Sequence, residues 1–575
     1  LKTMSKFYFN DEQESYDAIV VGSGISGGWA AKELCENGLK TLVLERGPMK
    51  KHREDYPTAN LDKWDMPNGG RPSLESQERQ QKQARTGYTT GAASAHWFVD
   101  DIKHPYSEDK RFDWMRGYHV GGRSIMWGRQ VYRHSDIDFE ANGREGIGVD
   151  WPVRYKDIAP WYSKVEKFIS VSGEALNLPQ LPDSEFEPAM PLNCVEQDIR
   201  ERVEAAFGDR VVTSGRVAHI TSDKKFDGDG RIRCQYRNRC VRGCPFGAYF
   251  SSLSSTLPVA ERTGNLTLRA DSIVAEVIYD ADTQKATGVK VIDAETNEEF
   301  VYKAKVIFLC ASAIGSTSIL MNSRSDRFPN GLGNDSGQLG RNIMDHHFLV
   351  GAAGTFEGYE DKYYKGRRPN GWYVPRFRNI GGNTNMKEFK RGYGYQGGGG
   401  RGDISELVAE AQFGAQLKDA ILDPGKWTAN FLAFGEVLPY EDNRFVLDYD
   451  NLDQWGLPTA RFNAEIRENE YAMRKDMQDQ AVKMLEVAGA KNITPYDRPY
   501  ALGLGIHEMG TARMGRDPKT SVLNGYNQVH ACKNVYVTDG SFMASAACVN
   551  PSLTYMAFTA RAANHAVSEL KNGNI

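Results

Sequence analysis

Nowhere in its 575 residues does the chain hold an 18-residue apolar run, so no membrane-spanning helix is expected. Its opening, "LKTMSKFYFNDEQESYD", also lacks the apolar stretch of a secretory signal. A soluble protein is expected, cytoplasmic or carried to the periplasm as the folded passenger of an exported partner. Charge of one sign is lacking as well: a net charge of -4 leaves no basic footprint and excludes nucleic acid as a partner. Cysteine is scarce. Eight are present, and Cys35, Cys194, Cys310, Cys532 and Cys548 are scattered, which is too thin for a disulfide framework. No internal repeat is visible. Glycine, by contrast, is abundant at 57 residues, as expected of many tight turns or of backbone that must approach a ligand closely. The length calls for more than one domain.

The segment "YDAIVVGSGISGGWAAKELCENGLKTLVLERG" reads as a buried strand, a turn through Gly22, Gly24 and Gly27, an alanine-rich helix and a second strand ending on Glu45. That order is the dinucleotide fingerprint in its full context. The glycines let backbone approach a pyrophosphate at a helix N-terminus, and a carboxylate about 20 residues on takes a ribose hydroxyl. The fingerprint does not separate FAD from NAD, because both present an ADP half. Further strands of the same domain are expected in "LTLRADSIVAEVIYDADTQKATGVKVIDAETNEEFVYKAKVIFLCASAIGS" and "KNVYVTDGSFM".

Together with that fingerprint, "GYHVGGRSIMWGRQVYR", "CASAIGSTSIL", "HEMGTARMG" and "VYVTDGSFMASAACVNPSLTYMAFTARAA" resemble the glucose-methanol-choline flavoenzyme family in order and spacing, over nearly the whole chain. Within it, pyranose oxidases and the flavin subunits of bacterial sugar, gluconate and glucoside dehydrogenases look most similar. The resemblance implies an α/β fold: a Rossmann-like FAD domain with a second, antiparallel-sheet domain for substrate. Carried onto this sequence, it implies FAD contacts at Gly22, Gly24, Ser26, Gly27, Glu45 and Arg46, and through the backbone of Val274. It implies others at Gly121, Gly122, Ser124, Trp127, Ala311, Asp539, Gly540, Asn550, Pro551 and Thr554. Pyranose oxidases bond FAD to a histidine where this chain has Met126. A thioether cannot form that bond, so FAD is expected to be noncovalent.

The implied chemistry is hydride transfer from a carbinol carbon to flavin. A base must take the hydroxyl proton as the hydride leaves, and a histidine titrating near 6.5 suits that task. His507 in "GIHEMG" is the candidate base, and Asn550 in "CVNPSLT" the partner able to fix the same substrate oxygen. Thr511 at the fifth place of "HEMGT" rules out a zinc-protease motif. His346 and His347 are expected to support the domain junction.

Cys234, Cys240 and Cys244 stand together in "RCQYRNRCVRGCPFG", ending in the C-x3-C-P of bacterial ferredoxin runs. Three thiolates make a 3Fe-4S cluster the simplest inventory, and the stretch resembles the cluster segment of bacterial FAD-dependent glucose dehydrogenases. Alternatives are 4Fe-4S with Cys194, a Cys3His zinc site with His219, or metal-free thiols. Arg233, Arg237, Arg239 and Arg242 make a solvated face, counter an anionic cluster or dock an acidic carrier.

By sequence number the chain divides into a first FAD segment (1–80), a lid or connection (81–117), a second FAD segment with the cysteines (118–345), a substrate domain (346–500) rich in aromatic residues, and a C-terminal FAD segment (501–575). The expected activity is oxidation of a secondary hydroxyl of a sugar or glycoside, C3 of glucosides first. Electrons would leave through the cluster to an external acceptor, a cytochrome c-type protein or quinone, with a small companion subunit. The alternatives are an oxidase using O2, a gluconate, sorbitol or C1-glucose dehydrogenase, or a non-catalytic electron carrier.

Overall fold

The computed structural model describes residues 15–87, 89–362, 370–402 and 414–575. Residues 1–14 of the opening segment and 363–369 of the aromatic-rich stretch lie outside the described residues.

The strand Ser15–Val21 is apolar on both faces because it is central: Thr41–Leu44 pairs with it on one side and Glu299–Leu309 on the other, both parallel. Cys532–Val537 and Leu266–Arg269 extend the parallel sheet at its two ends. The strand Glu299–Leu309 serves two layers. Its first half pairs antiparallel with Lys285–Asp293, which pairs in turn with Ser272–Asp280, and its second half enters the parallel sheet. These are the strands expected from the sequence, with turns at the two Asp-rich breaks. The helices Ile25–Glu36 and Ser552–Lys571 pack on each other, and Ala31 of the first and Ala563 of the second are buried in one apolar cluster.

The second sheet has six strands in the order Lys491–Asp497, Val350–Phe356, Trp427–Gly435, Tyr393–Gly400, Trp372–Val374 and Thr213–Ser214, all antiparallel. Helix Glu468–Val487 buries Met473, Met477, Ala481 and Met484 against it, as its amphipathic pattern predicts. The Gly397–Gly400 run is tightly packed strand: a Cβ on Gly397 would lie 1.9 Å from the Asn430 carbonyl oxygen.

The boundaries by sequence number are crossed twice. Helix Cys194–Phe207 and strand Thr213–Ser214, inside the span read as FAD domain, join the second sheet, because Val195, Ile199 and Val203 face its core. Conversely the hairpin Arg444–Leu452 and Pro458–Asn463, inside the span read as substrate domain, pairs instead with Ser107–Glu108. None of the eight cysteines is in a disulfide. Among the described residues no helix is long and apolar enough to cross a membrane.

Candidate active site

A cavity of about 660 Å3 is lined by residues of both sheets and of the hairpin. Gly22, Gly24, Ser26, Glu45, Arg46, Gly122, Ser124, Trp127, Val274, Ala311, Asp539, Gly540, His507 and Asn550 all reach its wall. Phe98, Trp114 and neighbouring residues of the 81–117 connection line it too. The remaining residues singled out in the sequence stand behind that wall. Gly27 packs on the turn, Gly121 receives the Ser124 hydroxyl on its carbonyl, Pro551 caps a helix, and Thr554 shares a hydrogen bond with Tyr162 at 2.8 Å.

The glycine turn is built for close approach. Gly22 has φ +96°, and a Cβ there would lie 2.5 Å from the Cys310 carbonyl oxygen. Gly24 has open space where its Cβ would be, and it caps a twelve-residue helix whose N-terminal N–H groups face the cavity end, a natural anion seat. Glu45 accepts from the Ser23 N–H at 3.0 Å, the Ser23 hydroxyl at 2.6 Å and the Gly47 N–H at 3.0 Å. Burial raises its pKa against these bonds. Arg46 lies over Tyr118 and Trp455, with Asp453 at 3.2 Å, so the hairpin's turn closes this end. Elsewhere on the wall Glu508 Oε1 and the Tyr555 hydroxyl are buried without hydrogen-bond partners among the described residues. Size, phosphate seat and waiting polar atoms all fit a flavin dinucleotide.

His507 and Asn550 sit on the same cavity, both partly accessible to it. His507 Nδ1 is 2.8 Å from His346 Nδ1. His346 Nε2 lies 2.9 Å from the Ala547 carbonyl oxygen, to which it can only donate. Burial pushes the His346 pKa down to about 4, so the ring is neutral and its Nδ1 carries the lone pair. His507 must therefore donate from Nδ1, which leaves its Nε2 unprotonated. Burial, with His346 and Arg123 nearby, pulls the His507 pKa well below the ordinary histidine value. The loop is held by Asp345, which accepts N–H bonds from Gly503, Gly505 and His507 and the Tyr500 hydroxyl, all within 3.0 Å. Burial and the neighbouring Glu508 push its pKa up to about 7 against those bonds. Beside them Arg123 pairs with Glu508 at 3.0 Å.

On the opposite side of the pair, Gln396 Nε2 donates to Asn550 Oδ1 at 2.6 Å, and Gln130 Nε2 donates to Gln396 Oε1 at 2.9 Å. The Tyr132 hydroxyl donates to Gln130 Oε1. Neither glutamine was singled out from the sequence. Gln396 had one faint signal, a polar residue on the strand face opposite Tyr393 and Tyr395.

Cys234, Cys240 and Cys244 line one small cavity of about 30 Å3 together with His219 and Tyr249. Among the described residues no three His, Cys, Asp or Glu side chains are gathered as ligands of one metal ion. Arg129 Nε donates to His219 Nε2 at 3.3 Å, and burial, with Arg129 and Arg231 nearby, pulls the pKa of that ring well below the ordinary histidine value. Cys194 does not reach this cavity; it starts the helix that covers the second sheet. An iron–sulfur cluster makes a different demand, since its thiolates bind separate irons, and the three thiols on this one cavity are the donors it would need. Three of the arginines are spent within the chain: Arg237 on Ala59 and Asn60, Arg239 on Asp62, Arg242 on the Leu61 carbonyl. Val241, between them, lines the large cavity, so the two cavities share the loop as a wall.

Two family models match the chain, both described as GMC oxidoreductase, over residues 16–348 and 439–559. A fructose dehydrogenase large subunit from Gluconobacter japonicus is 26% identical over 98% of this chain and 100% of its own length. A gluconate 2-dehydrogenase flavoprotein from Pantoea cypripedii is 24% identical over 96% of this chain and 93% of its own. Among solved structures, pyridoxine 4-oxidase from Mesorbium loti superimposes with a TM-score of 0.58 at 16% identity, covering 96% of this chain and 98% of that one.

Proposed function

The chain belongs to the GMC oxidoreductase family, and from that membership we propose that it is an FAD-dependent dehydrogenase of sugars or glycosides, acting on a secondary ring hydroxyl, C3 of glucosides first. FAD, held noncovalently since Met126 offers no bonding nitrogen, supplies the hydride acceptor. The residues of the chain supply the rest. His507 Nε2 takes the hydroxyl proton, and Asn550 Nδ2 donates to the same oxygen as negative charge grows on it. Gly22, Gly24 and the helix behind them would hold the pyrophosphate, Glu45 a ribose hydroxyl, and Asp539 the ribityl chain. The observation that carries this reading is the His346–His507 hydrogen bond, which leaves a lone pair facing the same cavity as Asn550. Sugar as substrate is supported by the fructose and gluconate in the names of the two relatives.

Cys234, Cys240 and Cys244 are read as ligands of a 3Fe-4S cluster passing electrons to a cytochrome c-type protein or quinone, with a small companion subunit. The grouping of the three cysteines on one small cavity and the wall it shares with the large one support this, and the companion is suggested by the relative called a large subunit.

Anaerobic mixing with a panel of sugars and glycosides tests the reaction. Flavin bleaching with a keto product is expected, and His507→Ala should keep its flavin while reducing it at least about 100-fold more slowly. Near-normal reduction of that variant would refute the base. Iron and acid-labile sulfide on the same sample, with an electron paramagnetic resonance signal in the oxidised protein, are expected; zinc without iron would remove the relay.

A further inference from the structure

A carboxamide has two ends of nearly equal shape and opposite chemistry, one accepting and one donating. Only the donating end helps at an oxygen that gains negative charge; the accepting end would repel it. A site that uses an asparagine on its substrate must therefore choose which end faces inward. We infer that Gln396, backed by Gln130, is a positioning residue that makes this choice by holding Asn550 with its Nδ2 toward the substrate. The inference rests on the reading of Asn550 as the donor to the reacting hydroxyl.

The geometry forms one directed chain. It starts at the Tyr132 hydroxyl, a buried group whose ring stacks on Tyr373 at 4.1 Å, and runs through Gln130 and Gln396 to Asn550 Oδ1. Each amide gives its NH2 to the next carbonyl, so with Asn550 Oδ1 spent on Gln396, the NH2 of Asn550 is the end left over. Among the described residues that NH2 has no protein partner. The chain also spans the fold. Gln396 lies on Tyr393–Gly400, opposite Tyr373 and Leu432 in the second sheet, whereas Asn550 stands next to Pro551, the N-cap of the last helix, which packs on the glycine-turn helix. The second sheet thus sets the polarity of a group carried by the first domain.

His507 is held by a separate chain of the opposite sense, ending on the Ala547 carbonyl, which leaves it an acceptor. A hydroxyl satisfies both only one way round, with its proton toward His507 and a lone pair toward Asn550. That orientation readies the O–H for abstraction before hydride leaves.

The test uses flavin-loaded protein and whichever of D-fructose, D-gluconate and methyl α-D-glucopyranoside bleaches the wild-type flavin. Gln396→Leu should lower the limiting rate of flavin reduction about 10-fold or more, with half-saturation changed less than about 3-fold. Added to Asn550→Ala, it should cost no more than about 2-fold further, because it acts through the amide already removed. Gln396→Glu should be slower still at pH 8, where its carboxylate pulls the Asn550 NH2 away from substrate. Relative to wild type it should recover toward pH 5.5, where the protonated carboxyl donates again. Fully additive losses in the double variant, or a defect confined to half-saturation, would overturn the inference.

A readout independent of turnover is the side-chain amide signal of Asn550 in protein labelled with 15N-asparagine, identified by its loss in Asn550→Ala. In Gln396→Glu its proton should move downfield at pH 8, and an unmoved signal counts against the inference. Should Asn550→Ala reduce flavin normally, the reading of the active site falls, and the amide signal still decides the orientation.

Discussion

A histidine that is to take a proton has to arrive with the right nitrogen bare, and at His507 that condition is set by a neighbour. His346 is fixed by two carbonyl oxygens, of Ala546 and Ala547, and passes the constraint on through Nδ1. Ile506, immediately before the base, sits at φ +62°, a costly conformation for a β-branched residue and a sign that the loop is held to aim the ring. His346→Phe keeps the volume and removes the acceptor, so stopped-flow reduction should slow by about 10- to 100-fold while flavin content stays unchanged. The pH dependence has a definite sign. A base whose pKa is lowered keeps its lone pair at pH values where an ordinary histidine is already protonated. The limiting rate should therefore stay flat from pH 8 down past 6.5 and fall only in more acid solution. A midpoint at 6.5 or above in the wild-type profile would contradict the burial argument. The motif around His507 was legible in the sequence. His346's office was not, because the carbonyls that define it come from a segment two hundred residues further along the chain.

The glycine turn shows how one motif serves two purposes at the level of the element. At Gly27 a Cβ would meet the Gly22 carbonyl oxygen at 1.8 Å, a contact inside the protein itself. At Gly24 a Cβ would meet nothing within 4 Å, and the residue lines the cavity. The two substitutions should therefore fail differently. Gly27→Ala forces helix and strand apart, at a cost of about 1–3 kcal/mol or more, and should lower the melting temperature even of flavin-free protein. Gly24→Ala should melt like the wild type when flavin-free and yet lose FAD affinity, because its methyl occupies the pyrophosphate's approach. Equal melting losses in the two flavin-free variants would contradict this division. Strand, turn and helix were readable because their signals are local. The cysteine segment was readable only as an inventory: its three clustered thiols share a cavity that Cys194 does not reach, and neither fact is visible in the spacing.

Across the whole molecule the question is what holds the second sheet in register with the catalytic pair, since Gln396 and the His346 segment must both stay in place. Arg391 is central to that junction. It is fully buried and makes bonds to Glu436 at 2.9 Å, Glu145 at 2.7 Å and Asn142 at 2.6 Å, the last two from the helical segment that follows the FAD-domain motif. Glu436 in turn bridges to His346 through the backbone, so the ion cluster and the support of the base are one structure. No local pattern announced it, because its members come from three distant parts of the chain and each alone reads as an ordinary surface charge. Arg391→Met would strip Glu436 of its buried partner, a change of the kind that costs about 3–5 kcal/mol. Burial already raises the Glu436 pKa, and Arg391 is the main group that lowers it. Without Arg391 the folded protein binds a proton at Glu436 that the unfolded chain has released, so its stability falls as pH rises above the ordinary glutamate range and is regained on acidification. The melting deficit of Arg391→Met should therefore be larger at pH 8 than at pH 5. Glu436→Gln in the same background should remove most of that pH dependence. A deficit independent of pH would mean that Arg391 acts by packing alone, and the junction would then owe nothing to the buried charge.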